Sequence, residues 1–566
     1  MNELIIVKPE NCVGCNACVR NCPAPEANKT TKLSDGRFVT TVDPAKCIAC
    51  GECVRNCAHG ARDYVDDTAE AMDKVNKRMR MIVIAAPAIK SVFPNRWKSI
   101  LNWFREHGCL IYDVAFGADI CTWAHLRAIQ NGEVGNLITQ PCAAIAKYIE
   151  TYQPKLLTNL SPIHSPMLCG VTYIKKYMRM NYPILALSPC IAKKNEFRET
   201  NLVEYNVTFK KLMEWFDRND IAIRHNDSSD DFQYDFDGEQ GQVGGIYPRG
   251  GGLRDNLWLH DPELDITNSE GVHKVYPELD LMAELSEALK PQIFDVLSCE
   301  LGCNIGAGTG ISKENVFEIG KTMRKVESEA KSRRKTSGGF FRGAEDKLFK
   351  RFDEELELSD FFRQYKPQTP TRVPNETELE PIFELMGKHT ENERKLDCNA
   401  CGRGSCRGMA IAIFRGLDIP ENCAIHAKIL AKQEHSELSV KHGRLSEIAE
   451  RCKELSDKMT EDMKKISGNM TIIRKANDDT NDRADKVHSL LENVVLYCKS
   501  NTTMSEDDTA QLVQILQTTL SAFDNLYDSV KKSTGSTLSV DSYMLSIDSL
   551  VADINKELSE TSEAEA

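Results

Sequence analysis

The stretch LSCELGCNIGAG at residues 297–308 contains two cysteines, Cys299 and Cys303, that are separated by three residues. Two other stretches each place one cysteine after a proline: ITQPCAAIAKYIE at 138–150 contains Cys142, and SPCIAKKNE at 188–196 contains Cys190. A Cys-x3-Cys spacing puts two thiols about one helical turn apart, so both can bind the same group. Thiolate is the natural ligand of iron–sulfur clusters, and four thiolates suffice for one cubane.

Three further blocks stand around these cysteines: FGAD at 116–119, NLSPIHSP at 159–166 and GGIYPRGGGL at 244–253. Together with the cysteine stretches they resemble the catalytic domain of [FeFe]-hydrogenases, over Met79 to Gln368. In that family four cysteines hold a cubane, and one of them bridges to a diiron unit that carries CO, cyanide and a dithiolate. The resemblance implies the same H-cluster here, with Cys303 as the bridging ligand and Cys142, Cys190 and Cys299 as the other three.

The resemblance also implies roles for side chains beside the cluster. Lys193 matches the lysine that pairs with a cyanide of the diiron unit, and a buried ammonium is stable only when it finds such an anion. Ser165 and Met167 match positions next to the cluster. We therefore expect these three residues to line the cofactor site, whereas Lys194 is expected at the surface.

The family's proton relay is interrupted in this sequence. Efficient hydrogenases place a second cysteine directly before the first ligand, where it hands protons to the bridgehead amine of the dithiolate. Pro141 stands there and has neither a thiol nor an N–H. The relay's carboxylate is expected near Ala124, where there is no acid, although His125 and Cys121 are close in sequence. Ser161 matches the relay's serine. Because proton transfer needs titratable groups at hydrogen-bond spacing, we expect cofactor binding with slow turnover.

The first 80 residues contain two runs of the pattern C-x2-C-x2-C-x3-C. This is the pattern of bacterial two-cluster ferredoxins, in which the fourth cysteine of each run binds the other cluster. One cubane is therefore assigned to Cys12, Cys15, Cys18 and Cys57. The other is assigned to Cys47, Cys50, Cys53 and Cys22. Zinc sites are the alternative, but their usual unit is two cysteines per run. The segment between the runs is expected to form a hairpin around Asp35-Gly36.

A third set of cysteines follows the catalytic region in a C-x2-C-x4-C-x16-C pattern, formed by Cys398, Cys401, Cys406 and Cys423. It resembles the small four-cysteine cubane domain of redox and corrinoid proteins, and zinc is again the alternative. Five cysteines remain and are assigned to packing: Cys109, Cys121, Cys169, Cys452 and Cys498.

The chain is expected to be a multidomain α+β and α/β protein. Alternating strands and helices after residue 81 predict an α/β domain with parallel sheets, and CLIYDVAFG at 109–117 is expected to be one of its strands. Apolar residues from Leu445 to Ile473 recur every three or four positions, which favours a C-terminal coiled coil. The expected domains are a two-[4Fe-4S] ferredoxin domain at 1–80, an H-cluster domain at 81–366, a linker at 367–386, a four-cysteine [4Fe-4S] domain at 387–430 and a helical coiled coil at 431–566.

Composition narrows the functional class. The net charge of -13 argues against nucleic acid, and no apolar run reaches the length of a membrane span. The start of the chain lacks the features of a signal peptide, so its 21 cysteines indicate metal binding more than disulfides. A cytoplasmic location follows.

These features predict a slow [FeFe]-hydrogenase of the sensory type, with an H-cluster and three accessory [4Fe-4S] clusters. Its partners are H2 and protons, a redox protein such as a ferredoxin, and either a second copy bound through the C-terminal helices or a signalling protein. One alternative is a metabolic hydrogenase subunit of a larger electron-transfer complex. The other is a non-enzymatic iron–sulfur protein that lacks the diiron unit.

Overall fold

The computed structural model describes residues 3–139, 141–224, 236–311, 315–336, 347–369 and 371–470, with scattered residues between 486 and 525. The chain divides into two compact units, Met1–His426 and Ala427–Ala566. Every cysteine assigned to a cluster lies in the first unit.

The strands are β1 (Ile5–Val7), β2 (Asn28–Lys32), β3 (Phe38–Val42), β4 (Arg62–Tyr64), β5 (Ile82–Ala85), β6 (Leu110–Asp113), β7 (Leu137–Ile138), β8 (Ile184–Ser188), β9 (Tyr205–Thr208), β10 (Ile266–Glu270) and β11 (Ile293–Leu297). The α-helices are α1 (Ala17–Arg20), α2 (Glu52–Arg55), α3 (Thr68–Asn76), α4 (Ile89–Val92), α5 (Trp97–Glu106), α6 (Val114–Gln130), α7 (Ala143–Tyr152), α8 (Pro166–Thr172), α9 (Lys193–Thr200), α10 (Phe209–Arg218), α11 (Gly252–His260), α12 (Val272–Met282), α13 (Val316–Thr336), α14 (Lys347–Glu355), α15 (Glu376–Leu385), α16 (Glu391–Arg394), α17 (Cys406–Phe414) and α18 (Ala424–Met470).

The N-terminal module is built from two antiparallel strand pairs, β1 with β4 and β2 with β3. The β2–β3 hairpin turns through Gly36, which has a φ of +83°, and this confirms the hairpin expected around Asp35-Gly36. Helices α1 and α2 each begin inside a cysteine run, after a residue in the left-handed conformation, Asn16 and Gly51 respectively. The cysteines of each run therefore surround the start of a short helix.

The expected H-cluster domain at 81–366, called the catalytic region below, contains two parallel sheets, as the alternation of strands and helices predicted. One has the strand order β6-β5-β8-β9, and the other has the order β10-β11-β7. Strands β5, β8 and β11 are buried along their whole length, as expected for sheets covered by helices on both faces.

The FGAD block lies on a helix, although the sequence CLIYDVAFG around it predicted a longer strand. Strand β6 ends at Asp113, whose carboxylate accepts a hydrogen bond from the backbone N–H of Ala115 and so caps helix α6. The expected strand is therefore too long at its end, because the capping aspartate turns the chain into a helix.

Helices α6 and α8 cross at two glycines. A Cβ atom on Gly117 would lie 2.2 Å from the carbonyl oxygen of Pro166 and 2.9 Å from Cα of Gly170. Only glycine permits this approach of the two backbones. The crossing brings α6, with Cys121 and His125, against the segment that contains Ser165 and Met167.

The segment 367–386, expected to be a linker, contains helix α15. Its N-terminus has a capping box, in which the side chains of Asn375 and Glu378 bond each other's backbone N–H groups. Leu379 and Phe383, one turn apart, are buried in an apolar cluster with Cys401 and Cys423. The linker expectation is wrong for residues 376–385, because the apolar pair at positions i and i+4 packs this helix into the four-cysteine domain.

Helix α18 begins directly after Cys423 and continues to Met470. It contains the predicted apolar stripe from Leu445 to Met470, whereas Ile473 lies outside the described residues. The described residues between 486 and 525 are helical as well. The coiled coil remains a prediction. No helix among the described residues is long and apolar enough to cross a membrane.

Candidate functional site

Four cysteines meet at the carboxyl ends of parallel strands, and we call them the catalytic set. Cys142 lies between β7 and α7, Cys190 follows β8, and Cys299 and Cys303 follow β11. These strands belong to two sheets, and the carboxyl ends of the strands are where open α/β sheets bind ligands. The three stretches that the sequence singled out therefore converge on one place.

The four thiols influence one another electrostatically. Burial, with a smaller contribution from Cys142, raises the pKa of Cys190 to about 11. Burial also raises the pKa of Cys299 and of Cys303, and in both cases Cys142 and Cys190 raise the pKa further. Because charge–charge effects weaken with distance, these mutual effects indicate that the four thiols lie near one another. A metal centre bound there would stabilise the thiolates, since a coordinated thiol loses its proton.

The glycines that follow Cys303 lie close to these thiols. A Cβ atom on Gly306 would lie 2.8 Å from the carbonyl oxygen of Pro189 and 3.6 Å from Sγ of Cys299. A Cβ atom on Gly308 would also lie 2.8 Å from the Pro189 oxygen. The glycine run therefore lets the backbone close tightly around two of the cysteines. Four thiols in this enclosure fit a cluster held by thiolates.

Lys193 is buried in a polar network beside the catalytic set. Its Nζ lies 2.6 Å from Oε2 of Glu196, which also accepts a hydrogen bond from Oγ of Ser165 at 3.0 Å. Nη1 of Arg363 donates to the other oxygen of Glu196 at 3.3 Å. Burial raises the pKa of Cys190 and of Cys303, and the positive charge of Lys193 opposes that rise in both, as expected for an ammonium close to these thiols.

Sequence reasoning did not identify Glu196 or Arg363 as part of this network. Glu196 stands three residues after Lys193, one helical turn along α9, and that spacing was a usable signal. Arg363 is 167 residues away from Glu196 and left no local signal. Met167 lies on α8, two residues after Ser165, and its side chain is buried.

Lys194 is buried as well, so the expectation that it lies at the surface is wrong. Its Nζ lies 2.6 Å from Oδ1 of Asp67, in the segment that connects the ferredoxin module to the catalytic region. A buried ammonium needs such a partner. Its role in the structure is to join two modules.

A second polar group surrounds Ser161. Oγ of Ser161 and Nε2 of His125 are 2.9 Å apart, and Nδ1 of His125 lies 2.8 Å from the carbonyl oxygen and 3.6 Å from Sγ of Cys121. Although burial opposes ionisation, hydrogen bonds from Cys169 and His125 lower the pKa of the Cys121 thiol to about 5. The charge of Cys121 in turn raises the pKa of His125 against the effect of burial. The side chain that faces Ser161 is thus His125 and not residue 124.

We call the eight N-terminal cysteines, as assigned from the sequence, the first set (Cys12, Cys15, Cys18, Cys57) and the second set (Cys22, Cys47, Cys50, Cys53). Burial raises the pKa of Cys22 to about 12, with a further contribution from Cys47, and Cys22 raises that of Cys50, so Cys22 lies with the second run. The buried Arg62 donates a hydrogen bond to Sγ of Cys18 at 3.2 Å. Burial raises the pKa of Cys53, and the charge of Arg62 opposes that rise, so Arg62 is close to a cysteine of each set.

The third set, Cys398, Cys401, Cys406 and Cys423, lines one small cavity. Backbone and apolar atoms close the cavity, including those of Met386 and Met409. In the described part of the chain, no three His, Cys, Asp or Glu side chains are grouped closely enough to hold a single metal ion.

Comparison with known proteins gives two family matches. The C-terminal domain of the iron-only hydrogenase large subunit matches residues 79–275, and the 4Fe-4S dicluster domain matches residues 11–61. The first match ends before Cys299 and Cys303. No curated protein matches the chain in sequence.

Several solved structures of [FeFe]-hydrogenases are similar to part of the chain. One, described as revealing stepwise H-cluster assembly, has 13% identity and a TM-score of 0.39, and the match covers 54% of this chain and 100% of that one. Another, from work on oxygen inactivation of the H cluster, has 12% identity and a TM-score of 0.40 over 54% and 100% of the two chains. A HydA1 variant from Chlamydomonas reinhardtii has 13% identity and a TM-score of 0.39 over the same shares.

The two domain matches cover the ferredoxin module and the larger part of the catalytic region. The matched residues include ten of the sixteen cysteines assigned to clusters. The six that lie outside the matches are Cys299, Cys303 and the four of the third set. This chain is an [FeFe]-hydrogenase-like protein with an N-terminal dicluster ferredoxin domain.

Proposed function

We propose that this protein binds H2 at an H-cluster, turns it over slowly and reports H2 or redox state to a partner. The observation that carries the proposal is the contrast around Cys142. The sequence has the four cysteines of the catalytic set and Lys193, whereas the residue before Cys142 is Pro141, which cannot donate or accept a proton.

The residues present fit the cofactor. The four thiols of the catalytic set would hold the cubane, with Cys303 as the bridge to the diiron unit. When bound, an H-cluster supplies heterolytic cleavage and formation of H2. Lys193 would present its ammonium to an anionic ligand, and Glu196, Ser165 and Arg363 fix its position. The first, second and third sets would each hold one [4Fe-4S] cluster.

Proton movement is the weak step. The family position for a proton-donating thiol is Pro141, and the buried Ser161 has an imidazole, His125, where the family has a carboxylate. His125 and Cys121 each favour the charged form of the other, against the effect of burial, so both are titratable groups within reach of Ser161. They supply a detour for protons that bypasses the missing thiol, and such a detour is slower than an aligned relay.

Slow turnover suits a sensor, because the occupancy of the site can then follow H2 without consuming it. A cytoplasmic protein that dimerises through α18, or docks a signalling protein there, would pass this state on. A ferredoxin-type protein is the expected redox partner.

A turnover assay on the matured full-length chain tests the proposal. We expect about 18 irons per chain, from three cubanes and a six-iron H-cluster. We expect H2 oxidation and proton reduction about 10²–10⁴-fold slower than in hydrogenases with an intact relay. A rate equal to theirs at full iron content would overturn the sensor assignment.

A further inference from the structure

The four-cysteine domain is joined to the ferredoxin module through the segments that carry the ligands. Gly402, next to Cys401, lies against α1, where a Cβ atom on Gly402 would come within 2.8 Å of the backbone nitrogen of Arg20. The guanidinium of Arg20 donates to the carbonyl oxygen of Cys15 at 3.2 Å and to that of Ala400 at 3.2 Å. One side chain thus bridges a residue of the first set and a neighbour of the third set.

A chain of buried polar side chains crosses the same boundary. Nδ2 of Asn16 donates to Oδ1 of Asn422 at 2.7 Å, and Nδ2 of Asn422 donates to Asp418 at 2.9 Å. The other oxygen of Asp418 accepts from Nε of Arg403 at 2.8 Å. We call these four residues the seam. Asn16 follows Cys15 and Asn422 precedes Cys423, so the Asn16–Asn422 bond connects the neighbours of two assigned ligands.

Arg403 fastens the seam to the ferredoxin backbone. Its two terminal nitrogens donate to the carbonyl oxygens of Pro25 and Asn28, at 2.8 and 3.0 Å. The side chains of Arg403 and Asp418 are 2% and 0% exposed. A buried ion pair contributes little net stability compared with apolar packing, but it fixes the relative position of the groups that it joins. Such a pair is expected where position matters.

The other sets continue in a row from this boundary. Arg62 lies between the first and second sets. Gly51, between Cys50 and Cys53, lies against the catalytic region, because a Cβ atom there would come within 2.3 Å of Ala307 and 2.8 Å of Ile191, the neighbour of Cys190. The hydroxyl of Tyr276 donates to Oγ of Ser298, the neighbour of Cys299, at 2.8 Å. Tyr276 also belongs to the buried apolar cluster against which Cys50 and Cys142 pack, so it lies between the second and catalytic sets.

From these contacts we infer that the seam is a positioning device that holds the third set directly beside the first set. The four-cysteine domain is then the outer end of a single row, which runs through the first and second sets to the catalytic set. A redox partner that exchanges electrons with this protein would do so through the four-cysteine domain. The inference rests on the proposed cluster content and adds the order of the sets and the residues that fix it.

Electron paramagnetic resonance on the reduced, matured full-length protein tests this placement. We expect the signals of the third-set and first-set clusters to show spin–spin coupling in the wild type. Arg403→Gln breaks the ion pair of the seam and is expected to remove or weaken that coupling. The coupling between the second-set cluster and the catalytic cubane should stay. Arg407→Gln is the matched control, since Arg407 is exposed and pairs with Glu376 inside the same domain.

Iron analysis and infrared spectra of the same samples separate the possible failures. Full iron with carbonyl and cyanide bands, but a third-set signal that behaves as an isolated spin or couples only to the second set, would overturn the inference and leave the proposed function intact. Absence of those bands would overturn the proposed function. If Arg403→Gln loses the third cluster altogether, the first-set signal must lose its coupling to the third set and keep only that to the second, and an unchanged first-set signal would contradict the placement.

Discussion

Nε2 of His125 lies 2.9 Å from Oγ of Ser161, and both side chains are almost completely buried. This pair links helix α6 to the NLSPIHSP segment at the position where the family has a carboxylate and a serine. It is the only titratable contact of Ser161 among the hydrogen bonds described for that side chain, and it explains how a chain with Pro141 could still move protons slowly.

Replacing His125 is expected to slow the enzyme further. In His125→Ala the buried Ser161 loses its partner and Cys121 loses the cation that favours its thiolate, so H2 turnover should fall by about 10²-fold or more. The infrared bands of the cofactor should remain, because His125 is not a ligand. His435→Ala, at an exposed position of α18, is the control and should change neither. Unaltered turnover in His125→Ala would show that protons take another route.

Restoring the missing relay should raise turnover, and the gain should depend on position. Pro141→Cys alone should help only in part, because Ser161 would still face an imidazole. Pro141→Cys with His125→Glu should do better, since the carboxylate would then reach Ser161. Pro141→Cys with Ala124→Glu should turn H2 over more slowly than Pro141→Cys with His125→Glu, because Ala124 is completely buried and an added carboxylate there has no partner. H2 oxidation rates of the three variants test the order, and equal rates would contradict it.

Lys193 and Lys194 form a natural matched pair, since both are buried and each has a carboxylate partner. Removing one partner of a buried ion pair typically costs about 3–5 kcal/mol, so both Lys193→Met and Lys194→Met should lower stability towards unfolding. Only Lys193→Met is expected to change the cyanide infrared bands or prevent loading of the diiron unit. Infrared spectra of the two variants with equal iron content decide the question. A similar spectral change in both would mean that the effect is structural.

Acidification should destabilise the protein through His164. Burial lowers the pKa of His164 to about 4 in the folded chain, below the value of about 6.5 expected when unfolded. Between these values the unfolded chain binds a proton that the folded chain does not, so stability is complete above about pH 6.5 and falls as the pH approaches 4. The shift corresponds to about 3 kcal/mol. Urea unfolding of wild type and His164→Gln at pH 7 and pH 5 should show a smaller pH effect in the variant.

The sequence predicted the parts of the protein whose signals are local. Cysteine spacing, the Asp35-Gly36 turn and the alternation of apolar strands with helices each depend on neighbouring residues, and the corresponding hairpin and parallel sheets are present. The resemblance to [FeFe]-hydrogenases identified the three segments that contain the cysteines of the catalytic set.

The missed features depend on contacts between distant segments. Arg363 reaches Glu196 across 167 residues, and Arg403 reaches Pro25 across 378. Lys194 was expected at the surface because no residue near it in the sequence showed that Asp67, 127 residues away, would be its partner. The relay's carboxylate was expected near Ala124, and only the crossing of α6 and α8 shows that His125 is the side chain of α6 that faces Ser161.

Infrared spectroscopy of the matured full-length protein, recorded under argon and then under H2, tests the central claim most directly. The account predicts carbonyl and cyanide bands from an H-cluster held by the catalytic set, bands that shift when H2 is admitted, and slow turnover in the same sample. Protein with full cubane iron that shows no carbonyl or cyanide bands under either gas would contradict it, and would leave an iron–sulfur protein with no site for H2.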